Sequence, residues 1–350
     1  MQHMYIGKRV VGIGCQTLIV AELSANHLQS YANARNIIDA VRKAGAHAIK
    51  LQTYTADTIT IDSDKEYFQV KSNDAWKWRT LYQLYNEAYT PWEWQPHLKK
   101  YAESKGLICF SSPFDITAVD FLEELDMPAY KVSSFEVTDI PLLERIGRTR
   151  KPVIMSCGMA SVSEINLALA TLKGGGCPSI ALLHCVSAYP ATPAEMNLAT
   201  IPDMRERFGG IVGLSDHTLG TEVPVLAVAF GAAIIEKHVT LSRKDGGPDA
   251  SFSLEPDELR HMVDAIRQTE KIIGTPCYGA SGGSAENVIF RKSLFAVSDI
   301  RKGESFTEKN VRSIRPGNGL APKYCRSVWG RRAAQDIERG TPMQWAFIAE

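Results

Sequence analysis

Two lysines, a set of serine hydroxyls and two histidines recur at one kind of place in this sequence, the polar end of a short apolar run. Lys50 ends HAIKLQTY (47–54) and Lys131 stands in AYKVSSFE (129–136) beside Ser134. Ser156 ends PVIMSCGM (152–159), Ser187 lies near the end of SIALLHCVSAYP (179–190), and Ser215 lies in GIVGLSDHT (210–218). An ammonium group ringed by hydroxyls suits a phosphate or carboxylate, with charge from the one and directed hydrogen bonds from the others. The plainer alternative is that Lys50 and Lys131 pair with carboxylates such as Glu22 or Glu136. A third possibility is a desolvated Lys131 that forms a Schiff base with a carbonyl substrate. His217 and His238 end two successive runs. On neighbouring strands, ~4.8 Å apart, two imidazoles can share one metal ion. With Asp216 and Glu236 beside them, Mn²⁺ or another transition ion suits the pair better than Mg²⁺, which prefers an all-oxygen shell. His184 sits among Leu and Cys and reads as core, and GIG (12–14) lacks the GxGxxG of a dinucleotide site.

Elements that would place these residues together can be read from the pattern between Leu18 and Gly274. Eight apolar runs, at 18–27, 47–54, 107–114, 129–136, 152–159, 179–190, 210–218 and 232–240, have the near-continuous apolar stems of strands buried on both faces. Stretches such as 33–45, 116–125, 162–175 and 255–274 separate them and repeat apolar residues three and four apart, often stopping at Gly. Eight strand–helix units in a row predict a (β/α)8 (TIM) barrel over residues 1–274, with a doubly wound open sheet as the alternative. Strand ends then converge on one site, which explains why chemistry-bearing residues sit there. The connection at 55–106 is oversized and holds Trp76, Trp78, Tyr82, Tyr85, Tyr89, Trp92 and Trp94, which predicts a lid or an extra helix over the mouth. A Gly/Ser-rich linker at 275–290 leads to a small β-rich domain at 291–350.

Charge excludes other classes. The 39 basic and 39 acidic side chains cancel, so the chain has neither the footprint of a nucleic-acid binder nor a polybasic membrane anchor. No stretch approaches ~20 uninterrupted apolar residues. The seven cysteines are odd in number, scattered and free of CxxC spacing, which argues against a zinc knuckle or a dithiol redox motif. A cytoplasmic enzyme is expected.

At this point the motifs are familiar. AELSANH, IKLQTY, SSPF, YKVSS, MSCGM, LLHCVSAYP, GLSDHT, EKHVT and GGPDASFS resemble, in order, those of the sialic acid (nonulosonic acid) synthase family, whose members condense phosphoenolpyruvate with an amino sugar. RKSLFAVSDIRKGE and IRPGNG look like that family's C-terminal antifreeze-like (SAF) domain. The resemblance implies His217 and His238 as ligands of a catalytic Mn²⁺-like ion (Mg²⁺ or Co²⁺ being the other choices). It places Lys50, Lys131, Ser134, Ser156, Ser187 and Ser215 around phosphoenolpyruvate. Gln52, Phe114, Tyr189 and Asp249 would face the sugar, and Glu22 would lie beside the reacting carbons. It also implies a domain-swapped homodimer in which Arg315 of one subunit enters the partner's barrel. ELSANH and LYQLYNEAYTPWEW (81–94) look most like the branch acting on 2,4-diacetamido-2,4,6-trideoxy-L-altrose. N-acetylmannosamine and the legionaminic precursor are the alternatives. Family members usually carry Asn where Ser187 stands, a departure that points to a different sugar. The rivals are a Schiff-base aldolase or lyase through Lys131, and a non-catalytic sugar- or ice-binding protein.

Overall fold

The computed structural model describes residues 3–71, 76 and 79–349, so Trp78 lies outside the described residues. The chain forms two compact units, Met1–Gly274 and Thr275–Glu350.

The first unit opens with strands β1 (His3–Ile6) and β2 (Arg9–Gly12), then β3 (Leu18–Glu22), α1 (Tyr31–Ala44) and β4 (Ala48–Thr53). The long connection contributes α2 (Ala56–Ile59) and α3 (Leu81–Ala88) before α4 (Gln95–Ser104) and β5 (Ile108–Pro113). Then come α5 (Ile116–Glu124), β6 (Tyr130–Val132), α6 (Ile140–Arg148), β7 (Val153–Ser156), α7 (Val162–Gly175) and β8 (Ile180–Cys185). The unit ends with α8 (Thr200–Phe208), β9 (Ile211–Asp216), α9 (Glu222–Ala229), β10 (Ile234–His238) and α10 (Pro256–Ile273).

Strands β3 to β10 run parallel and close into a barrel, β10 pairing with β3. Helix boundaries follow local chemistry. Ser30 caps α1 by accepting from the Asn33 N–H, and Gly45 ends it at φ 87°, a conformation that costs glycine least. Ser161 and Glu164 form a reciprocal box at the start of α7.

The barrel interior is built by the two-residue period of its strands. Leu18, Val20, Ala48, Phe110, Ala129, Ile154, Leu183, Ile211 and Ile234 form one buried apolar cluster. Continuing each alternation upward gives Glu22, Lys50, Ser112, Lys131, Ser156, Ser215 and Glu236. The apolar layer is therefore the floor beneath a polar one. Close approach matters here: a Cβ on Gly213 would stand 2.4 Å from the Ile234 carbonyl oxygen of the next strand. The β1–β2 hairpin was not expected from the sequence. Its strands are only four residues each, yet Met4, Ile6 and Val11 alternate inward and join the interior cluster.

The long connection holds the expected extra helix, α3, while α4 is the regular barrel helix. No helix among the described residues is long and apolar enough to cross a membrane. The second unit has an antiparallel pair, β11 (Ser293–Ala296) and β12 (Val311–Ile314), and a one-turn helix, α11 (Cys325–Val328). These enclose their own core of residues such as Leu294, Phe306, Val311, Val328 and Met343.

Candidate active site

The polar layer opens into a cavity of about 500 Å³ at the C-terminal ends of the strands, the end at which barrel enzymes do their chemistry. Lys50 is buried between two carboxylates, its Nζ 2.9 Å from Glu22 Oε2 and 2.8 Å from Glu236 Oε1. Lys131 Nζ donates to Ser156 Oγ at 2.7 Å and to the Val132 carbonyl at 3.1 Å, and lies 3.6 Å from Glu236 Oε1. Ser215 Oγ donates to the same Glu236 oxygen at 3.1 Å. Lys50 thus pairs as the plainer reading expected with Glu22, and also with Glu236; the Glu136 carboxyl is bonded by the Ser133 hydroxyl instead.

Two lysines facing two carboxylates leave this layer formally neutral. Burial would raise the Glu22 carboxyl, but the His238 and Lys50 charges outweigh it and hold the group well below its usual range. Lys131 moves the other way, because burial lowers its pKa more than Glu236 restores it. Burial also raises the Glu136 carboxyl at the rim.

Three buried polar atoms on the cavity have no partner among the described residues: Ser112 Oγ, Glu236 Oε2 and His238 Nδ1. Buried polar groups are nearly always bonded, so orphans gathered on one cavity mark where a ligand belongs.

The two imidazoles face each other with ring centroids 5.3 Å apart. His217 Nδ1 bonds the Val186 carbonyl at 3.0 Å, which turns its other nitrogen toward the cavity. His238 Nε2 lies 3.1 Å from Glu22 Oε2. The orphaned His238 nitrogen and the imidazole pair fit a divalent ion. Among the described residues, however, no three metal-ligating side chains converge, so the remaining ligands would come from substrate or water. Asp216, expected beside this pair, faces the opposite side, where it is bonded to Lys237 and Thr218. In a strand, a residue next to an inward-facing one points outward.

The sugar-side residues also reach the cavity. Gln52 Nε2 donates to Glu22 Oε1 at 2.8 Å. Phe114 packs edge-on against Tyr54 at 5.1 Å, and Tyr189 lies 4.4 Å from the His217 ring. Asp249 accepts from Ser24 and stands 3.8 Å from His238 Nδ1. Ser134 lines the cavity and accepts from the Gly158 N–H at 3.1 Å.

One expected residue is placed differently. Ser187 is not among the cavity-lining residues; it packs beside Gly158, where a Cβ would come within 2.6 Å of its Oγ. Arg315 belongs to the second unit, directly after β12. Asn26 and His27, at the end of the first apolar run, leave the strand in a short 3-10 turn. Asn26 bonds Val239 and Ser253, and His27 pairs with Thr90; burial lowers the His27 pKa to about 4, so the ring is a neutral structural group. His184 bonds the Met196 carbonyl, as a core residue would.

Other cavity residues take places the sequence reading did not assign. Glu236, expected beside the imidazole pair, binds Lys50, and Ser112 follows from strand alternation. Tyr54 follows β4, Trp76 and Tyr85 come from the long connection, and only the fold brings these three rings to the cavity. Trp76 Nε1 donates to the Pro248 carbonyl at 2.8 Å, and its ring lies 5.5 Å from Tyr189.

A closed parallel barrel whose mouth holds buried lysines, hydroxyls and paired imidazoles defines a TIM-barrel protein with a polar cavity at the C-terminal ends of its strands. Comparison with known proteins narrows the class. Residues 37–278 match the NeuB family and residues 291–349 match the SAF domain; the chain belongs to the NeuB family. It is 43% identical over 329 residues to the pseudaminic acid synthase of Campylobacter jejuni subsp. jejuni serotype O:23/36 (strain 81-176), covering 94% of this chain and 96% of that one. It is 39% identical to the pseudaminic acid synthase of Helicobacter pylori (strain ATCC 700392 / 26695), covering 93% and 96%. The crystal structure of the Bacillus subtilis spore coat polysaccharide biosynthesis protein spsE superposes with a TM-score of 0.68 at 33% identity, covering 99% of each chain.

Proposed function

We propose that this chain is a pseudaminic acid synthase, condensing phosphoenolpyruvate with 2,4-diacetamido-2,4,6-trideoxy-L-altrose and water to give pseudaminic acid and phosphate. The observation that carries the chemistry is the neutral, buried Lys50–Glu22–Glu236–Lys131 layer together with three unpartnered polar atoms, on Ser112, Glu236 and His238, that line the same cavity. The choice of sugar rests on the two synthases at 43% and 39% identity.

Lys50 and Lys131 hold the phosphate and carboxylate, with Ser134, Ser156, Ser215 and the free Ser112 hydroxyl supplying directed donors. C3 of phosphoenolpyruvate attacks the aldehyde carbon of the open-chain sugar, forming the new C–C bond while the aldehyde oxygen gains a proton. Water adds to the resulting cation at C2, and the tetrahedral intermediate expels phosphate by breaking the C2–O bond. Glu22, kept ionised beside Lys50 and His238, is placed to steer that water or take its proton. Gln52 orients Glu22, while Phe114, Tyr189 and Asp249 position the sugar. Holding both reactants in one geometry contributes several kcal/mol.

A divalent ion, Mn²⁺ or alternatively Mg²⁺ or Co²⁺, would be held by His217 and His238 and would polarise the aldehyde oxygen as a Lewis acid. The neutrality of the lysine–carboxylate layer supports the need for it, since a trianionic substrate calls for further positive charge. Arg315 of a partner subunit would add to that charge in a domain-swapped homodimer and orient an acylamino group. The free state of all seven cysteines supports a reducing, cytoplasmic setting.

Phosphate release and product mass with three sugars, the trideoxyaltrose, N-acetylmannosamine and the legionaminic precursor, test the assignment. Preference for either of the last two would make the chain an N-acetylneuraminate or legionaminic acid synthase. The lowered pKa of Lys131 favours one second reading, a Schiff-base aldolase or lyase. Borohydride trapping with the carbonyl substrate and activity that survives a chelator would establish it.

A further inference from the structure

The cavity has two unlike sides. Its floor carries the charges and hydroxyls already described, whereas one stretch of wall is apolar, made by Tyr54 after β4 and by Leu81, Leu84, Tyr85 and Ala88 of α3; Gln69 and Lys71 line the cavity from the same connection outside that stretch. Those four positions of α3 form the i, i+3, i+4, i+7 stripe of an amphipathic helix. Such stripes are normally spent on a core. Leu84 and Ala88 are buried, yet neither belongs to an apolar cluster among the described residues.

The helix is also held firmly. Thr80 and Gln83 box its start. At its end, the Gln29 side-chain amide donates to the Glu87 and Tyr89 carbonyls at 2.9 and 2.7 Å. Tyr54 packs edge-on against Tyr85 at 5.7 Å, and neither hydroxyl has a hydrogen-bond partner among the described residues.

We propose that α3 and Tyr54 select the sugar. Leu81, Leu84 and Ala88 take methyl groups at its far end, while the Tyr54 and Tyr85 hydroxyls donate to an acylamino carbonyl oxygen. The inference rests on the synthase reading of the same cavity. With phosphoenolpyruvate over the two lysines and the aldehyde carbon near the imidazoles, the rest of the open chain lies against this wall. A sugar hydroxylated at that end would bury hydroxyls against leucine and alanine without partners, which is costly. A deoxy, acylated sugar presents methyl groups and amide carbonyls instead.

Steady-state phosphate release with the 6-deoxy diacetamido sugar and its 6-hydroxy counterpart tests this in the wild type, Leu81→Gln and Tyr85→Phe. Leu81 is only half-buried, and Tyr85→Phe is conservative, so both variants should fold. The wild type should favour the 6-deoxy sugar by roughly tenfold or more, the discrimination a methyl-sized apolar pocket can give. Leu81→Gln should collapse that ratio by raising the KM of the 6-deoxy sugar. Tyr85→Phe should raise the KM of both sugars about tenfold. The KM for phosphoenolpyruvate should stay unchanged in each variant. If the wild type uses the diacetamido sugar and both variants keep its KM and the ratio, the wall is not the selector, although the synthase reading stands. If the wild type turns over only N-acetylmannosamine, the assigned function fails and the wall with it.

Discussion

Lys237 is hydrogen-bonded to Asp216 across two adjacent strands, with both side chains completely buried. The two residues are register partners of β10 and β9, and each immediately precedes one of the facing histidines. Lys237 also donates to the Thr218 carbonyl. The pair lies on the face opposite His217 and His238 and ties together the strand ends that carry them.

Breaking this pair should therefore be costly. Asp216→Asn leaves a buried ammonium group without its counter-charge and should destabilise the barrel by about 3–5 kcal/mol in urea unfolding. The double replacement Asp216→Leu with Lys237→Met should recover most of that loss. An unchanged unfolding midpoint in the single variant would show that the ion pair is not what ties β9 to β10.

Lys131 should set an alkaline limit on activity. Burial holds its pKa below the usual 10.5, so its positive charge is lost earlier as pH rises than that of an ordinary lysine. The value of kcat/KM for phosphoenolpyruvate, which reports the free enzyme, should fall on the alkaline side before pH ~10.5. Lys131→Arg should lower activity through its altered geometry but remove that limb, because the guanidinium does not deprotonate. A limb that survives in Lys131→Arg would belong to another group.

Metal dependence should follow the imidazole pair. Chelation should abolish turnover and Mn²⁺ should restore it. His217→Ala should lower kcat by roughly 10²-fold or more, with an unchanged circular dichroism spectrum and lost Mn²⁺ binding in equilibrium dialysis. Near-normal, metal-stimulated turnover in this variant would remove His217 from the site.

Domain exchange can be read by complementation. Arg315→Ala and His217→Ala should each be inactive as homodimers. Co-expressed, they should form mixed dimers in which one barrel keeps its histidine and receives an intact partner arginine. Random pairing predicts about a quarter of wild-type activity for a swapped dimer. An Arg315 that served its own barrel would give no recovery.

Much of the site was legible because strand geometry is local. Alternation carries Leu18 and Val20 on to Glu22, Ala48 on to Lys50, and Ala129 on to Lys131, so the inward position of these residues follows from the residues below them. The same rule, applied fully, would have turned Asp216 away from His217 and set Glu236 in one layer with Lys50 and Ser112. The β1–β2 hairpin escaped because four-residue strands carry too little pattern to stand out. Asn26 and His27 escaped because the chain leaves β3 in a turn, where alternation no longer applies.

The sequence by itself determined the eight-strand repeat, the helices between the strands and which side chains their stems turn inward, since all of these depend on neighbours a few residues apart. Only the tertiary structure decided the pairings. Barrel closure sets β10 beside β3, which brings Glu236 within 2.8 Å of Lys50 and Glu22 within 3.1 Å of His238. It likewise brings the α3 stripe against the cavity rather than into a core. These contacts join residues far apart in the chain, and no local period encodes them.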